Sequence, residues 1–290
     1  MKNLRALSLP QRYNYVASFL TFECTVGCSY CINLHSASRR ARKKLMTGKE
    51  WVGALDRFIL PPDTPVTLQG GEPSQHPDFV WIINNIRKDI NIDILTNLLF
   101  DVDAFIGAVD PARLRRNAPY ASIRVSYHPD YMDFGKLLPK VAAMQRAGFS
   151  IWIFSILIPG KESHLDAVKS QCVQAGIDFR LKELLGVHEG RMYGTFRYPD
   201  AVSNPVLKRC RCRTSEVIIG PDGGVYRCHH DLYKDFQPIG HILDPEFIIE
   251  DRFRECSSFG DCNPCDVKVK TNRFQIHGHT SVEIEDIAQI

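Results

Sequence analysis

Three cysteines stand close together near the N-terminus of this 290-residue chain, in the segment ECTVGCSYC (residues 23–31). Three residues separate Cys24 from Cys28, and two separate Cys28 from Cys31. A structural zinc site uses four ligands in a closed tetrahedron, and an electron-carrying four-iron four-sulfur cluster has one thiolate on each iron. Three thiolates on such a cluster would leave one iron free to bind another molecule. The spacing by itself leaves open which of these two kinds of metal site the triad forms.

The triad directly follows the first of six predicted strands. Apolar β-rich runs predict these strands at Tyr15–Phe22, Val66–Gln69, Ile92–Thr96, Ser122–Tyr127, Ile151–Ile158 and Phe179–Leu184. Most of them are nearly continuous apolar runs, which is typical of parallel strands buried on both faces. Because helical patterns separate them, the predicted fold class is α/β, a partial (β/α)6 TIM-like barrel. The triad would then lie at the carboxyl-terminal mouth of the barrel, where β/α folds build active sites.

Apolar stripes of helical period lie between the strands. The first helix is predicted to begin at a capping box of Thr47 and Glu50. A later helical segment, residues 103–115, is interrupted by Pro111. The stripes are Trp51, Leu55, Phe58 and Ile59; Phe79, Ile82, Ile83 and Ile86; Leu137, Leu138, Val141 and Met144; and Leu165, Val168 and Cys172. Cys172 lies on a stripe and is expected in the core.

The composition changes after residue 186, where six of the ten cysteines follow. Within that part, EVIIGPDGGVYRC (Glu216–Cys228) predicts a β-hairpin around a Pro-Asp-Gly-Gly turn. We expect this part to bury little core of its own and to be held together by metal. Two domains are therefore predicted, a partial barrel over residues 1–186 and a small cysteine-rich domain, a β-hairpin plus a helix, over residues 187–290.

The second predicted strand ends in GGEP, residues 70–73. Two glycines let a backbone approach a ligand closely, and the Glu72 carboxylate can bind an ammonium group. With this segment the chain resembles the radical S-adenosylmethionine (SAM) superfamily, whose signature is CxxxCxxC after the first strand. The resemblance implies that Cys24, Cys28 and Cys31 hold a four-iron four-sulfur cluster whose open iron binds SAM. The alternative is a zinc site with His35 as its fourth ligand, which leaves GGEP unexplained.

The resemblance also implies contacts to SAM. The aromatic residue before the third cysteine would lie near the adenine, the GGE segment at the methionine amino group, a polar residue of the fourth strand at the ribose, and a fifth-strand residue near the adenine. The matching residues are Tyr30, Gly70, Gly71, Glu72, Ser126 and Ile158. SAM would be cleaved to methionine and a 5′-deoxyadenosyl radical that takes a hydrogen atom from substrate.

A second cysteine pattern lies in residues 187–290. Ten residues separate Cys212 from Gly223, four more precede Cys228, and Cys262 and Cys265 form a CxxC pair. This pattern is similar to the twitch domain, a short relative of the SPASM domain, in which four cysteines hold one auxiliary four-iron four-sulfur cluster. The resemblance implies that Cys212, Cys228, Cys262 and Cys265 are the ligands, with Cys210 able to replace Cys212. A zinc knuckle is the alternative, because four thiolates also suit zinc.

Cys256 stands six residues before Cys262. A thiol S–H bond is weaker than most carbinol C–H bonds, so a buried cysteine near the auxiliary cluster can return a hydrogen atom to a carbon radical. We therefore predict Cys256 as a catalytic hydrogen-atom donor, while ligand exchange or incidental burial are alternatives. His128 and Lys182, at the ends of the fourth and sixth strands, are further candidate substrate contacts.

Charge and hydropathy exclude some classes of function. The net charge of +3 is too small to argue for nucleic acid by itself. The basic run RRARKK (residues 39–44) is either a solvated loop or an anion site suited to a charged substrate. No apolar run has the roughly 20 residues that a bilayer requires. Cysteines without a secretion signal are more typical of metal ligands than of disulfides, so a reducing cytoplasmic location is predicted.

The predicted function is an enzyme that removes hydrogen from a small polar metabolite, a sugar, aminocyclitol or nucleotide derivative, giving oxidation or epimerisation. A flavodoxin or ferredoxin-type protein would supply electrons. One alternative is a maturase of a ribosomally made peptide, against which we note that the first strand begins near residue 15 with no leader-binding domain before it. The other is a non-catalytic iron–sulfur or zinc protein that binds nucleic acid through RRARKK.

Overall fold

The computed structural model describes residues 5–33, 36–41, 43–204, 207–270 and 278–286. His35 and Arg42, which entered the predictions above, lie outside these ranges. The strands of the first part are β1 (Leu7–Ser8), β2 (Tyr15–Thr21), β3 (Phe58–Ile59), β4 (Val66–Gly70), β5 (Ile92–Thr96), β6 (Ile123–Tyr127), β7 (Ile151–Leu157) and β8 (Phe179–Glu183). Its helices are α1 (Ala37–Ala41), α2 (Gly48–Leu55), α3 (Phe79–Asn85), α4 (Val102–Ala108), α5 (Phe134–Arg146) and α6 (Glu162–Gln174), with 3-10 turns at Pro73–Gln75 and Pro111–Leu114.

The later part of the chain has shorter elements. Its strands are β9 (Gly186–His188), β10 (Arg191–Tyr193), β11 (Lys208–Thr214), β12 (Glu216–Ile219), β13 (Gly224–Tyr226), β14 (Gly240–His241), β15 (Arg254–Phe259) and β16 (Val282–Asp286). Its helices are α7 (Asp200–Ser203), α8 (His229–Lys234) and α9 (Pro264–Val267).

One large sheet organises the fold. Within the described ranges it has nine strands in the order β14-β13-β12-β2-β4-β5-β6-β7-β8. The six strands from β2 to β8 in this order are parallel neighbours and follow one another along the chain. The six strands predicted from apolar runs are confirmed with end points within one residue. The molecule is thus a mixed α/β fold with a large, mainly parallel sheet.

Helices α2 to α6 cover one side of this sheet. The predicted capping box is present, because the Thr47 hydroxyl accepts from the Glu50 N–H and the Glu50 carboxylate accepts from the Thr47 N–H at 2.7 Å. Trp51, Leu55 and Cys172 are fully buried, as their stripes predict. The prediction that Phe58 and Ile59 belong to the first helix is wrong, because α2 ends at Leu55. These two residues form β3, which pairs in parallel with β1.

The other side of the sheet is half-buried over β6 and most of β7 and exposed over β8. In β6 and β7 every second residue is buried, whereas in β8 only Phe179 is buried. The prediction that the strands are buried on both faces is therefore wrong for β6, β7 and β8. The sequences IRVSY, IWIFSIL and FRLKE alternate in polarity or size, which is the pattern of a strand with one covered face. We call the uncovered side, carrying Arg124, Ser126, Phe154 and Lys182, the open face.

The predicted hairpin is confirmed, but it belongs to the large sheet. β12 pairs in parallel with β2, placing Val217 opposite Val16, and β13 pairs antiparallel with β12. Val217, Ile219 and Val225 are buried in the same core as the first strands. The expectation that residues 187–290 bury little core is thus wrong for this hairpin, because its apolar residues extend an existing sheet.

A separate small sheet, in the order β15-β11-β16, carries three of the remaining six cysteines, Cys210, Cys212 and Cys256. It packs with α7 and α9 around a second, smaller core of cysteines and apolar side chains. In the part of the chain that the structure describes, no helix is long and apolar enough to cross a bilayer.

Candidate functional site

The cysteine triad lies on the loop that leaves β2, and this loop is held by the neighbouring strand ends. Cys28 is buried, and Cys24 and Cys31 are half-buried. Beyond β6, the Tyr131 hydroxyl accepts from the Ser29 N–H at 2.9 Å. The Tyr30 hydroxyl and His128 Nδ1 lie 2.9 Å apart. The residues that follow β6 therefore clamp the middle of the cysteine loop.

A second clamp comes from the end of β5. The Asn97 side-chain amide donates to the Thr25 hydroxyl at 2.9 Å and lies 3.9 Å from the Cys24 sulfur. The Asn97 N–H in turn donates to the Glu72 carboxylate at 2.7 Å. Three strand ends, those of β4, β5 and β6, thus meet at the triad, as predicted for the carboxyl-terminal edge of a parallel sheet.

Glu72 is 2% exposed and its carboxylate already accepts several hydrogen bonds. One oxygen accepts from the Ser74 and Thr96 hydroxyls at 2.7 and 2.8 Å. The other accepts from the Asn97 N–H. Burial raises the pKa of Glu72, and these donors act against that shift by stabilising the charged form. In this arrangement Glu72 ties the ends of β4 and β5 together beneath the triad.

The two glycines before Glu72 allow two backbones to approach. A Cβ on Gly70, whose φ is +150°, would lie 2.1 Å from the Thr21 carbonyl oxygen. A Cβ on Gly71 would lie 2.3 Å from the Glu23 carbonyl oxygen. The space they leave lets Gly71 and Glu72 donate their N–H groups to Thr21 and Glu23, both at 2.8 Å. The close approach is to the start of the cysteine loop, whereas the sequence suggested an approach to a ligand.

The remaining predicted SAM contacts lie on β6 and just after β7. Ser126 is half-buried on the open face, opposite Phe154 in register, and Ile158 is buried directly after β7. Burial lowers the pKa of His128 to about 4 and raises that of Tyr30. Both rings are therefore uncharged near neutral pH, and the contact between Tyr30 and His128 is a neutral hydrogen bond.

The triad fits a cluster with an open position. Burial raises the pKa of Cys24, and that of Cys28 to about 11, so both thiols are protonated until iron displaces the protons. Among the described residues, no three His, Cys, Asp or Glu side chains converge as a single metal ion requires. In a four-iron cluster each thiolate binds a different iron. Three thiols on an anchored loop supply the donor type and number that such a cluster needs.

A second group of thiols lines a pocket in the small core. We call it the cysteine pocket. Its walls include apolar side chains, among them Val267 and Val282. Burial lowers the pKa of the Arg227 guanidinium, but its ion pair with Asp231 at 2.9 Å and, to a smaller extent, the nearby Cys212 and Cys228 raise it above its ordinary value. The thiols in the lining are Cys210, Cys212, Cys228, Cys256 and Cys262. Soft thiolates, an apolar wall and a nearby cation fit an iron–sulfur cluster.

The structure places Cys256 in the cysteine pocket and Cys265 outside its lining, whereas the sequence predicted Cys265 as the ligand. Cys256 lies opposite Cys210 in the pairing of β15 with β11, and its sulfur accepts from the Ser258 N–H at 3.5 Å. Cys210, Cys212 and Cys256 all line the cysteine pocket, whereas Cys265 is absent from its lining. All ten cysteines are free thiols.

The basic run after the triad is engaged with protein groups. The Lys43 ammonium lies 2.6 Å from Asp235 and 3.3 Å from Asp222, and it donates to the Tyr226 hydroxyl at 2.9 Å. Arg39 lies 3.7 Å from Glu23. Lys43 thus connects the segment after the triad to the hairpin of the later part of the chain.

Lys182 lies on the open face, with its ammonium 4.9 Å from the centre of the Phe154 ring. The Lys182 side chain is exposed on β8. Desolvation by neighbouring atoms, with the charges of Arg124 and Lys268, shifts its pKa below the ordinary value.

Comparison with known proteins gives a modest sequence match and a clear fold match. No family model matches the chain. The chain is 28% identical over 116 residues to GTP 3′,8-cyclase of Haemophilus influenzae. The matched segment is 40% of this chain and 33% of the cyclase, so the chain spans a third of the length of that relative.

Two solved structures share the fold over most of this chain. SuiB of Streptococcus suis, bound to its precursor peptide SuiA, superimposes with a TM-score of 0.55 at 13% identity, covering 84% of this chain and 64% of SuiB. The structure of anSMEcpe with bound AdoMet and the Cp18Cys peptide superimposes with a TM-score of 0.53 at 14% identity, covering 82% of this chain and 78% of anSMEcpe. The two solved structures thus share the fold of this chain over most of its length.

Sequence reasoning missed the residues that hold the triad in place. Asn97 and Tyr131 bind the cysteine loop, and neither belongs to a motif in the sequence. His128 was noted only as a candidate substrate contact, although it binds Tyr30. The sequence did contain one indication of these residues, namely their position. Asn97 and His128 are each the first residue after a parallel strand.

Proposed function

We propose that this chain is a radical SAM enzyme that abstracts hydrogen from a small polar metabolite, a sugar, aminocyclitol or nucleotide derivative, giving oxidation or epimerisation. The observation that carries the proposal is the anchoring of the CxxxCxxC loop by the ends of three adjacent parallel strands. The sequence match to an enzyme named for a reaction of GTP supports a small, polar substrate.

In this proposal Cys24, Cys28 and Cys31 hold a four-iron four-sulfur cluster, which supplies the electron that cleaves SAM to methionine and a 5′-deoxyadenosyl radical. Tyr30 and Ile158 lie on either side of the adenine site, and Ser126 contacts the ribose. Gly70 and Gly71 present backbone to the methionine end of SAM, and Glu72 holds that backbone through Asn97 and Ser74.

A twitch-like auxiliary cluster forms the second part of the proposal. The predicted ligands Cys212, Cys228 and Cys262 all line the cysteine pocket, but Cys265 does not. Because Cys256 lines the same pocket, we favour Cys256 over Cys265 as the fourth ligand. This choice competes with the prediction that Cys256 donates a hydrogen atom. A flavodoxin or ferredoxin-type protein in a reducing cytoplasm stays the predicted electron source.

The test replaces Cys24, Cys28 and Cys31 with alanine and measures 5′-deoxyadenosine after anaerobic reconstitution. The wild-type chain should hold about eight irons, since two cubane clusters carry four each. We expect the triple variant to keep about four irons and to form no 5′-deoxyadenosine. Cys172→Ala is the matched control, because Cys172 lies in the helix-covered core and should leave both quantities unchanged. Activity in the triple variant would overturn the assignment.

Peptide modification is the second candidate function. Both fold neighbours were solved with peptides, and the open face of β6, β7 and β8 offers an accessible surface beside the triad. Likeness at 13 to 14% identity shows the fold alone, so this candidate rests on that surface. Hydrogen–deuterium exchange with a candidate precursor peptide separates the two functions, because a peptide substrate would protect backbone amides of β8.

A further inference from the structure

One buried carboxylate joins the two segments that carry Cys228 and Cys262. Asp266 is 2% exposed and lies in α9, which begins two residues after Cys262. Its Oδ1 accepts from the His229 N–H at 3.0 Å and lies 2.9 Å from His229 Nδ1. Its Oδ2 accepts from the His230 N–H at 3.0 Å. These two histidines begin α8 directly after Cys228, so the Asp266 side chain caps that helix from another part of the chain.

The helix needs this cap because its own flanking residue does not supply one. Cys228 occupies the N-cap position of α8, and its side chain makes no capping hydrogen bond. N-cap residues are usually Ser, Thr, Asp or Asn, whose oxygens accept from the first free N–H groups of the helix. Buried N–H groups without a partner are costly. Since Asp266 satisfies them, the Cys228 sulfur is left available for another partner.

Asp266 also faces the cysteine pocket. It lines this pocket together with Cys228 and Cys262, whereas Cys265 is absent from the lining. The turn that begins α9 is fixed by Asn263, whose side chain accepts from the Cys265 N–H at 2.9 Å and whose carbonyl oxygen accepts from the Asp266 N–H at 2.9 Å. Of the neighbours Cys265 and Asp266, α9 therefore presents the carboxylate to the pocket.

We propose that Asp266 is a positioning residue of the auxiliary iron–sulfur site, which holds Cys228 in place relative to Cys262 so that both thiolates can bind one cluster. This inference rests on the proposed function, since it takes the cysteine pocket as the site of that cluster. Asp266 acts through α8 and is not itself a ligand, because both of its oxygens already accept hydrogen bonds.

The test compares Asp266 with Asp261, a carboxylate that stands one residue before Cys262. The Asp261 side chain is 54% exposed and pairs with Lys234 at 2.8 Å, so it is the matched control. Each aspartate is replaced by asparagine and by alanine in the chain whose triad cysteines are all alanine, which leaves the auxiliary cluster alone. Chemical iron analysis follows anaerobic reconstitution, and electron paramagnetic resonance records the dithionite-reduced cluster.

We expect Asp266→Ala to lose the cluster, about four irons per chain. Asp266→Asn should retain an intermediate amount of iron with altered g values, because asparagine keeps one acceptor oxygen and brings an N–H₂ group against the other backbone donor. Both Asp261 variants should match the parent chain in iron content and spectrum. With the triad intact, Asp266→Ala should keep about four irons, those of the triad cluster, because the rest of the fold does not depend on this cap.

Unchanged iron content and spectra in both Asp266 variants would overturn the positioning role, and so would an equal loss in the Asp261 variants. Loss of the triad cluster from Asp266→Ala would also overturn it, because the residue would then stabilise the fold in general. A parent chain without iron would reject the auxiliary cluster and this inference together. The radical SAM function is judged separately, by 5′-deoxyadenosine formation in the chain with an intact triad.

Discussion

At the scale of single residues, the position of Cys256 limits its chemistry. A hydrogen-atom donor must reach the substrate carbon, whereas a ligand must face the cluster. Cys256 lies in the cysteine pocket with Cys210 and Cys212, whereas Cys265 is absent from its lining. The pocket holds five thiols, one more than a four-iron cluster requires, so Cys210 or Cys212 is spare if Cys256 is a ligand.

Iron content distinguishes the two roles. In a Cys210→Ala background, which removes the spare thiol, we expect Cys256→Ala to lower the iron content from about eight per chain to about four, because only three thiols then line the cysteine pocket. Cys265→Ala should keep its irons, and chemical iron analysis with electron paramagnetic resonance checks both variants. If Cys256→Ala instead keeps both clusters but no longer incorporates solvent deuterium into product in D₂O, Cys256 is the hydrogen-atom donor.

At the scale of elements, the junction between β2 and β4 positions the triad. Gly71 lies where the backbone after β4 crosses the start of the cysteine loop, with the Glu23 carbonyl oxygen 2.3 Å and the Phe22 carbonyl oxygen 2.6 Å from an added Cβ. Backbone atoms cannot yield as a flexible side chain can. The spacing of the two strand ends, and hence of Cys24 from Glu72, depends on a residue without a side chain.

Gly71→Ala should therefore force the cysteine loop away from β4. We expect it to lower the free energy of unfolding by about 1–3 kcal/mol, the usual cost of overpacking, and to weaken cluster retention. Gly107→Ala is the matched control, because an added Cβ there meets no atom within 4 Å and lies in α4. It should be neutral or stabilising by up to about 1 kcal/mol. Equal urea midpoints for the two variants would contradict the role of Gly71.

The sequence could predict these elements because their patterns are local. Apolar runs located β2 and β4, and Thr47 with Glu50 located the start of α2. It could not predict the contacts of Asn97, since a single polar residue after a strand has no periodicity and its partner Thr25 is 72 residues away. The CxxC spacing of Cys262 and Cys265 likewise carries no information about which way each thiol points.

At the scale of the whole molecule, a buried ion pair ties β12 to the chain beyond α9. The Glu216 carboxylate is 2% exposed and accepts from Lys270 and from the Ser281 hydroxyl. Burial alone would raise its pKa, but the charges of Lys270 and His229 lower it to about 2. This pair connects the large sheet to the part of the chain that carries the cysteine pocket.

Stability should therefore depend on pH through Glu216. Because its folded pKa lies below the ordinary value of 4.5, its contribution is complete above that value and is lost as the pH falls toward 2. Glu216→Gln leaves Lys270 buried without its partner and should cost about 3–5 kcal/mol at neutral pH. Urea unfolding between pH 7 and 3 measures both effects, and the variant should show a shallower decline. Parallel curves for the two proteins would show that the pair adds no acid sensitivity.

The place of β12 beside β2 also decides how the chain can be divided. β2 has a hydrogen-bonded neighbour on each side, β4 from the earlier part of the chain and β12 from the later part. A fragment ending at residue 186 would leave the first four residues of β2, Tyr15 to Ser18, without the partner strand β12, offering their backbone groups to any other strand. Such a fragment would invite edge-to-edge aggregation, and its cysteine loop would emerge from the exposed strand. Expression of this protein in halves is therefore a poor route to either iron–sulfur site.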